Sequence, residues 1–385
     1  MKNPTQKVLL VVAMILIVVL PLLGSLFKWN GLPPQFGQFP VQASIIPDPG
    51  FDLIYFSLGL AVVVFILAYL IFPQLFGFRR VATSPRPSNT ANFPWWFWPG
   101  VIVTILCWIA MWGQFSWLEP AVHFTFVPQW WGFILTIDGL VYKRSGGKSL
   151  LAHRSGMMVL VALASCITWF LFEYLNYFIL VNWYYPDNQW FSTAGYYVWF
   201  GLAFTTVIPA VFEWYTLLNT FERMVKKYES GPELNPSPVF KSAVFAVGVL
   251  LTFGFPIFPH PLFFALWIGP LLILSGAMSL AGYWTPYTPI SKGNWSPITL
   301  MALACLFNYF IGEMWNFWSP PNNPNYWKYE IPYVNWPHIF EMPALGFFGY
   351  LPFGILCWVA WLWFKHVFNI ESDLRFKTSG LPENE

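Results

Sequence analysis

The feature that most constrains this chain is that nearly all of its Lys and Arg residues are kept out of ten long apolar runs. On hydrophobicity alone these runs span 8–27, 51–77, 95–117, 124–142, 156–181, 194–220, 239–258, 262–284, 297–318 and 341–366. Each approaches the roughly 20 residues that a helix needs to cross the hydrocarbon core. Only 9% of the residues are charged and 57% are hydrophobic, whereas a soluble domain carries about a quarter charged residues. The expectation is an all-α integral membrane protein of about ten transmembrane helices. Residues 1–368 form a single polytopic domain in this reading, and 369–385 a short polar tail.

The charges orient the bundle. With the N-terminus inside, 17 of the 19 Lys and Arg residues face the cytoplasm, among them Lys2, Arg79, Arg80, Arg86, Lys143, Arg144, Arg223, Lys226, Lys227, Arg375 and Lys377. Only Lys28 and Lys328 fall outside. This is a strong positive-inside bias, and it places both termini in the cytoplasm of a bacterial-type inner membrane. The first run follows Lys2 and Lys7 but is longer than a signal-peptide core and lacks a small-x-small cleavage site, so it reads as a retained helix. The runs at 239–258 and 262–284, joined around His260, read as a tight helical hairpin.

Composition excludes several classes. A net charge of +2 with no basic stripe argues against nucleic acid. Cys107, Cys166, Cys305 and Cys357 lie singly in apolar segments, which argues against a disulfide framework or zinc ribbon. No predicted span core holds a histidine for bis-haem ligation or a lysine for retinal, and there is no arginine ladder or desaturase-type histidine box. The many Trp residues near run ends are interfacial anchors.

An internal repeat is visible. Glu173-x-x-Asn176 is followed by an aromatic loop with Asn182-Trp183 and then Pro209-x-x-Phe212-Glu213; Glu313-x-x-Asn316 is followed by Tyr326-Trp327 and then Pro337-x-x-Phe340-Glu341. The repeat units cover 156–220 and 297–366, and both Glu-x-x-Asn helices run in the same direction, so the repeat is parallel. Chance likeness in an aromatic-rich chain competes with it.

An ionisable residue inside a span costs a few kcal/mol on insertion scales and asks for a partner or a purpose. Glu173 and Glu313 sit roughly 24 Å of helix rise beyond their inner loops, in the outer third of the bilayer. Asn176 and Asn316 follow at i+3 on the same face, placed to orient the carboxylates. These four are the candidate catalytic residues; the bland alternative is polar glue between helices. Glu213, after Pro209 in mid-helix, and Glu341 are candidate substrate- or proton-binding acids. Asp138, near Lys143 and Arg144, reads as a snorkelling or paired interfacial acid.

Glu119-x-x-x-His123 and His338-x-x-Glu341 have metal-compatible helical spacing on the outer side, so Glu119, His123, His338 and Glu341 are candidate ligands for a transition metal such as zinc, manganese or iron. Histidines resting at the interface are the competing explanation, and Pro120 interrupts the first pair. Three functions remain open: an enzyme acting on a lipid or isoprenoid through the outer carboxylates, with or without a metal; a proton-coupled transporter or flippase; and a structural, pigment- or quinone-binding subunit of a membrane complex.

Overall fold

The computed structural model describes residues 4–44, 49–81, 90–186 and 189–371, which are mostly helical with almost no sheet. Lys2, Arg86, Arg375 and Lys377, and nearly all of the tail 369–385, lie outside the described residues. Every apolar run contains helix: α1 (Pro4–Trp29), α2 (Leu53–Ile71), α3 (Phe97–Gly113), α4 (Phe126–Arg144), α5 (Leu150–Tyr177), α6 (Thr193–Phe204) and α7 (Val207–Asn219). A short α8 (Glu222–Lys227) precedes α9 (Pro238–Gly254), α10 (Ala265–Leu280), α11 (Ser296–Phe317) and α12 (Tyr350–Phe368). The run at 194–220, expected as one helix, is interrupted between α6 and α7. There the Thr205 and Thr206 hydroxyls turn back onto the carbonyls of Leu202 and Ala203.

Six segments are long and apolar enough to cross a membrane: Gln6–Trp29, Leu53–Ile71, Leu150–Tyr177, Thr193–Asn219, Ser296–Phe317 and Ala344–Phe368. They mark the chain as an integral membrane protein. Phe97–Gly113, Pro238–Gly254 and Ala265–Leu280 are shorter apolar helices.

Helix starts follow from local chemistry. Asp52 caps α2 by accepting from Tyr55 N at 2.7 Å, and Ser149 caps α5 through Ala152 N at 3.2 Å. Ser237, followed by Pro238 at the first helical position, caps α9 through Phe240 N.

Two antiparallel hairpins, α3–α4 and α9–α10, pack by the same device. On α3, Thr104 Oγ1 donates to Gly100 O at 2.8 Å; on α9, Thr252 Oγ1 donates to Gly248 O at 2.8 Å. Each threonine then meets a glycine of the partner helix. A Cβ on Gly132 would come within 2.8 Å of Thr104 Oγ1, and one on Gly269 within 2.4 Å of Thr252 Oγ1. Backbones approach this closely only over small residues, which is how helices pack where lipid supplies no hydrophobic drive.

The core sits around α11 and α12, each 67% buried over its most apolar stretch, whereas α2 is 6% buried. α2 is therefore peripheral, and hydrogen bonds hold its two ends. Tyr55 OH donates to Pro261 O at 2.7 Å near one end, while Lys227 Nζ and Tyr228 OH donate to Leu70 O near the other. On the predicted outer side, the aromatic loops fold into a cap. Tyr185 N donates to Val41 O and Asp52 N to Tyr333 O, so the loop after α1 is stitched to both later loops.

Candidate functional site

The two Glu-x-x-Asn pairs build closely matching arrangements. Glu173, buried on α5, accepts on Oε1 from Trp169 Nε1 at 3.0 Å, Trp183 Nε1 at 2.9 Å and Tyr185 OH at 2.6 Å. Glu313, buried on α11, accepts on Oε1 from Trp327 Nε1 at 3.3 Å, Tyr329 OH at 2.8 Å and Tyr350 OH at 2.5 Å. Each carboxylate thus gathers a Trp-x-Tyr run from the loop that follows its helix. An alternating extended segment presents residues i and i+2 on one side, so indole and phenol reach the same oxygen.

The asparagines hold those runs in place. Asn176 Nδ2 donates to Trp183 O at 2.8 Å while its Oδ1 accepts from Asn182 N. Asn316 Nδ2 donates to Trp327 O at 2.7 Å while its Oδ1 accepts from Trp327 N. In the first unit this clamp closes a turn in which Leu180 and Val181 are left-handed, at φ 63° and 68°. Such values are unfavourable for non-glycine residues, and the Asn176 bonds supply compensating contacts.

The two runs then pair with each other. β1 (Trp183–Tyr184) and β2 (Lys328–Tyr329) are antiparallel, with Trp183 opposite Tyr329 and Tyr184 opposite Lys328. Glu330 N donating to Asn182 O at 2.8 Å extends the ladder. A second small pair, β3 (His338–Ile339) with β4 (Met342–Pro343), closes the loop before α12.

Against this ribbon lies a chamber of about 660 Å³. Its walls are α2, the start of α4, Trp169 of α5, the end of α6 and start of α7, the start of α10, the midsection of α11, the start of α12 and the loops between them. Trp169, Trp183, Tyr185, Trp327, Tyr329 and Tyr350 all line it, so the donors that hold both glutamates are themselves chamber wall. Glu173 and Glu313 stand behind that wall, one hydroxyl away from the space. The Tyr329 and Tyr350 hydroxyls also meet each other, at 3.1 Å. Glu313 Oε2 is buried with no hydrogen-bond partner. Burial and the neighbouring carboxylate push the Tyr185 phenol, and likewise that of Tyr329, well above the ordinary value. Both therefore remain neutral hydroxyls.

Other expected residues lie elsewhere. Glu213 is fully buried on α7, where Thr216 Oγ1 donates to its Oε2 at 3.3 Å and its Oε1 has no hydrogen-bond partner, with Asp138 of α4 nearby. Asp138 does not snorkel: it is fully buried and accepts from Trp96 Nε1, Ser149 Oγ and Leu151 N at 2.8–2.9 Å. Glu341 falls in the turn between β3 and β4 and accepts from Tyr326 OH. The two Pro-x-x-Phe-Glu segments thus have different surroundings, one helical and one in a turn.

His123 sits on a single 3₁₀ turn, with Nε2 2.7 Å from Glu119 Oε2, Nδ1 3.0 Å from Asn322 O, and its ring stacked on Trp190. The carbonyl can only accept, so Nδ1 carries a proton. His338 is exposed on β3, where helical i,i+3 spacing does not apply. Among the described residues, no three His, Cys, Asp or Glu side chains gather into a metal-ligating group.

The residues that sequence reasoning passed over are the donors: Trp169, Trp183, Tyr185, Trp327, Tyr329 and Tyr350. The shared Trp-x-Tyr spacing after each Glu-x-x-Asn was the available signal. Compared with known protein families, curated proteins and solved structures, the chain matches none.

Proposed function

We propose that this chain spans the inner membrane of a bacterial-type cell about ten times, with both termini inside, and acts on a lipid or isoprenoid held in the aromatic chamber. The observation that carries this reading is the chamber itself. It is large enough for a lipid chain, walled by Phe, Trp, Tyr and aliphatic side chains, and bordered by three Glu–Tyr hydrogen bonds. Its α2 wall includes Leu58 and Val62, both largely exposed, on the helix least covered by the rest of the protein among the six long apolar segments. A lipid reaches such a space sideways, from the bilayer.

In this reading the tyrosine hydroxyls are the groups that touch the substrate, and the glutamates behind them exchange protons with them. Tyr350 and Tyr329 serve Glu313, and Tyr185 serves Glu173. Aromatic faces around the chamber stabilise positive charge developing on an isoprenoid chain. Asn176 and Asn316 are positioning residues, holding the Trp-x-Tyr runs at their carboxylates.

The test is lipid analysis of membranes from cells carrying the wild-type chain, Glu313→Gln or Tyr350→Phe, with folded protein in all three confirmed by gel filtration. A precursor lipid that accumulates in both variants supports the reading. Unchanged lipid profiles in both overturn it.

A second reading, proton-coupled transport, draws on the Asp138–Glu213 pair. Both acids are fully buried, and intramembrane carboxyl groups serve as proton relays in transporters. Proton flux in proteoliposomes that disappears in Glu213→Gln would favour it over the enzyme.

A further inference from the structure

The chamber carries a more specific message about the head group of its ligand, and this inference rests on the chamber being a lipid site. Asn308, on α11, and Asn325, just before the Trp327 run, both line it and are 1% and 3% exposed. Each leaves its side-chain Oδ1 buried without a hydrogen-bond partner. Buried polar atoms are almost always satisfied, and an unsatisfied one in a cavity wall marks a ligand's place. By contrast, the asparagines outside the chamber that hold the ribbon, Asn176 and Asn316, have both ends of their amides engaged.

These two unmet oxygens are acceptors, so they call for a donor: an O–H or N–H on the ligand. None of the lining side chains is Lys, Arg, His, Asp or Glu. A phosphate or carboxylate head group would therefore enter without a cation to neutralise it, at heavy desolvation cost. A quinone carbonyl offers only an acceptor and cannot satisfy Asn308 or Asn325 Oδ1. We infer that the chamber selects an uncharged lipid bearing a free hydroxyl, with an isoprenoid alcohol as the fitting class, and that Asn308 and Asn325 read that hydroxyl.

The experiment uses the full chain in detergent micelles with three probes: geranylgeraniol, its methyl ether and its monophosphate. Binding is read by quenching of tryptophan emission, since five indoles line the chamber, and by native mass spectrometry. The alcohol should bind at least tenfold more tightly than the ether, which keeps the chain but cannot donate. The monophosphate should bind more weakly than the alcohol. In Asn308→Leu/Asn325→Leu the alcohol should fall to the level of the ether.

Equal binding of alcohol and ether to the wild type overturns the inference without requiring any variant to fold. So does tighter binding of the monophosphate, or discrimination that survives in a folded double variant. Failure of all three probes while a native lipid stays bound in the mass spectra also overturns it, and leaves the chamber as a lipid site. Failure of all three with no retained lipid removes the chamber reading itself.

Discussion

The Glu173 and Glu313 units use the same parts, a buried Glu-x-x-Asn and a Trp-x-Tyr run, yet their carboxylates are surrounded differently. Glu173 takes two indoles, one from its own helix a turn earlier, and a single phenol. Glu313 takes one indole and two phenols, one of them from α12. The third donor thus comes from within α5 in one case and from a distant helix in the other. Glu313 also keeps a buried oxygen without a partner. The first unit is built as a locally closed support; the second links α11, the ribbon and α12. If chemistry resides in one of them, the second is better equipped.

The largest expected effect tests that asymmetry. Glu313→Gln should lower lipid turnover by about 10²–10⁴, the usual contribution of a general acid or base, while Glu173→Gln should cost far less. Equal losses in both would make the units functionally equivalent. Next comes stability. Glu313→Leu strands three donors, each costing roughly 1–3 kcal/mol when left unmet, and should lower the thermal unfolding temperature much more than Glu313→Gln. If the Gln variants of both units unfold as readily as the Leu variants, the glutamates are structural staples and the enzyme reading weakens.

The hairpins give a smaller effect. Gly132→Val and Gly269→Val each force a side chain against a threonine across the helix pair, at a cost of about 1–3 kcal/mol. Similar losses of detergent stability would show that α3–α4 and α9–α10 are equivalent devices. The smallest effect is in pH. The phenols of Tyr185 and Tyr329 have folded values raised above the unfolded one of about 10. Their contribution is fully present below about pH 10 and is lost as pH rises beyond it, because the unfolded chain ionises first. Thermal unfolding should weaken above that pH, and Tyr185→Phe/Tyr329→Phe should flatten the dependence.

Much of the framework could be read directly from the chain. The apolar runs predicted where helix forms, because burial in lipid leaves the backbone no partner but itself. The split at Thr205 and Thr206 was not visible, since it depends on hydroxyls turning back to local carbonyls. The Glu-x-x-Asn pairs stood out because a carboxylate in an apolar run is costly, and the loops aligned at Trp183 and Trp327. Asp138 was read as snorkelling or paired because its sequence neighbours, Lys143 and Arg144, are cationic, whereas its actual partners are Trp96, Ser149 and Leu151. The expected His/carboxylate cluster drew on helical spacing, which applies neither to the 3₁₀ turn at His123 nor to the strand at His338.

By itself, then, the sequence determined that this is a helical membrane protein, which residues are too polar to lie in lipid unpartnered, and that two stretches carry the same Glu-x-x-Asn pattern. Those properties follow from residue type and short-range spacing. Only the tertiary structure decided that the two following loops pair into one ribbon, that their aromatic donors separate the glutamates from a shared chamber, and that Asn308 and Asn325 face it unsatisfied. Hydrogen bonds and cavities join residues far apart in the chain, such as Tyr350 and Glu313, and local pattern carries no record of which distant group arrives.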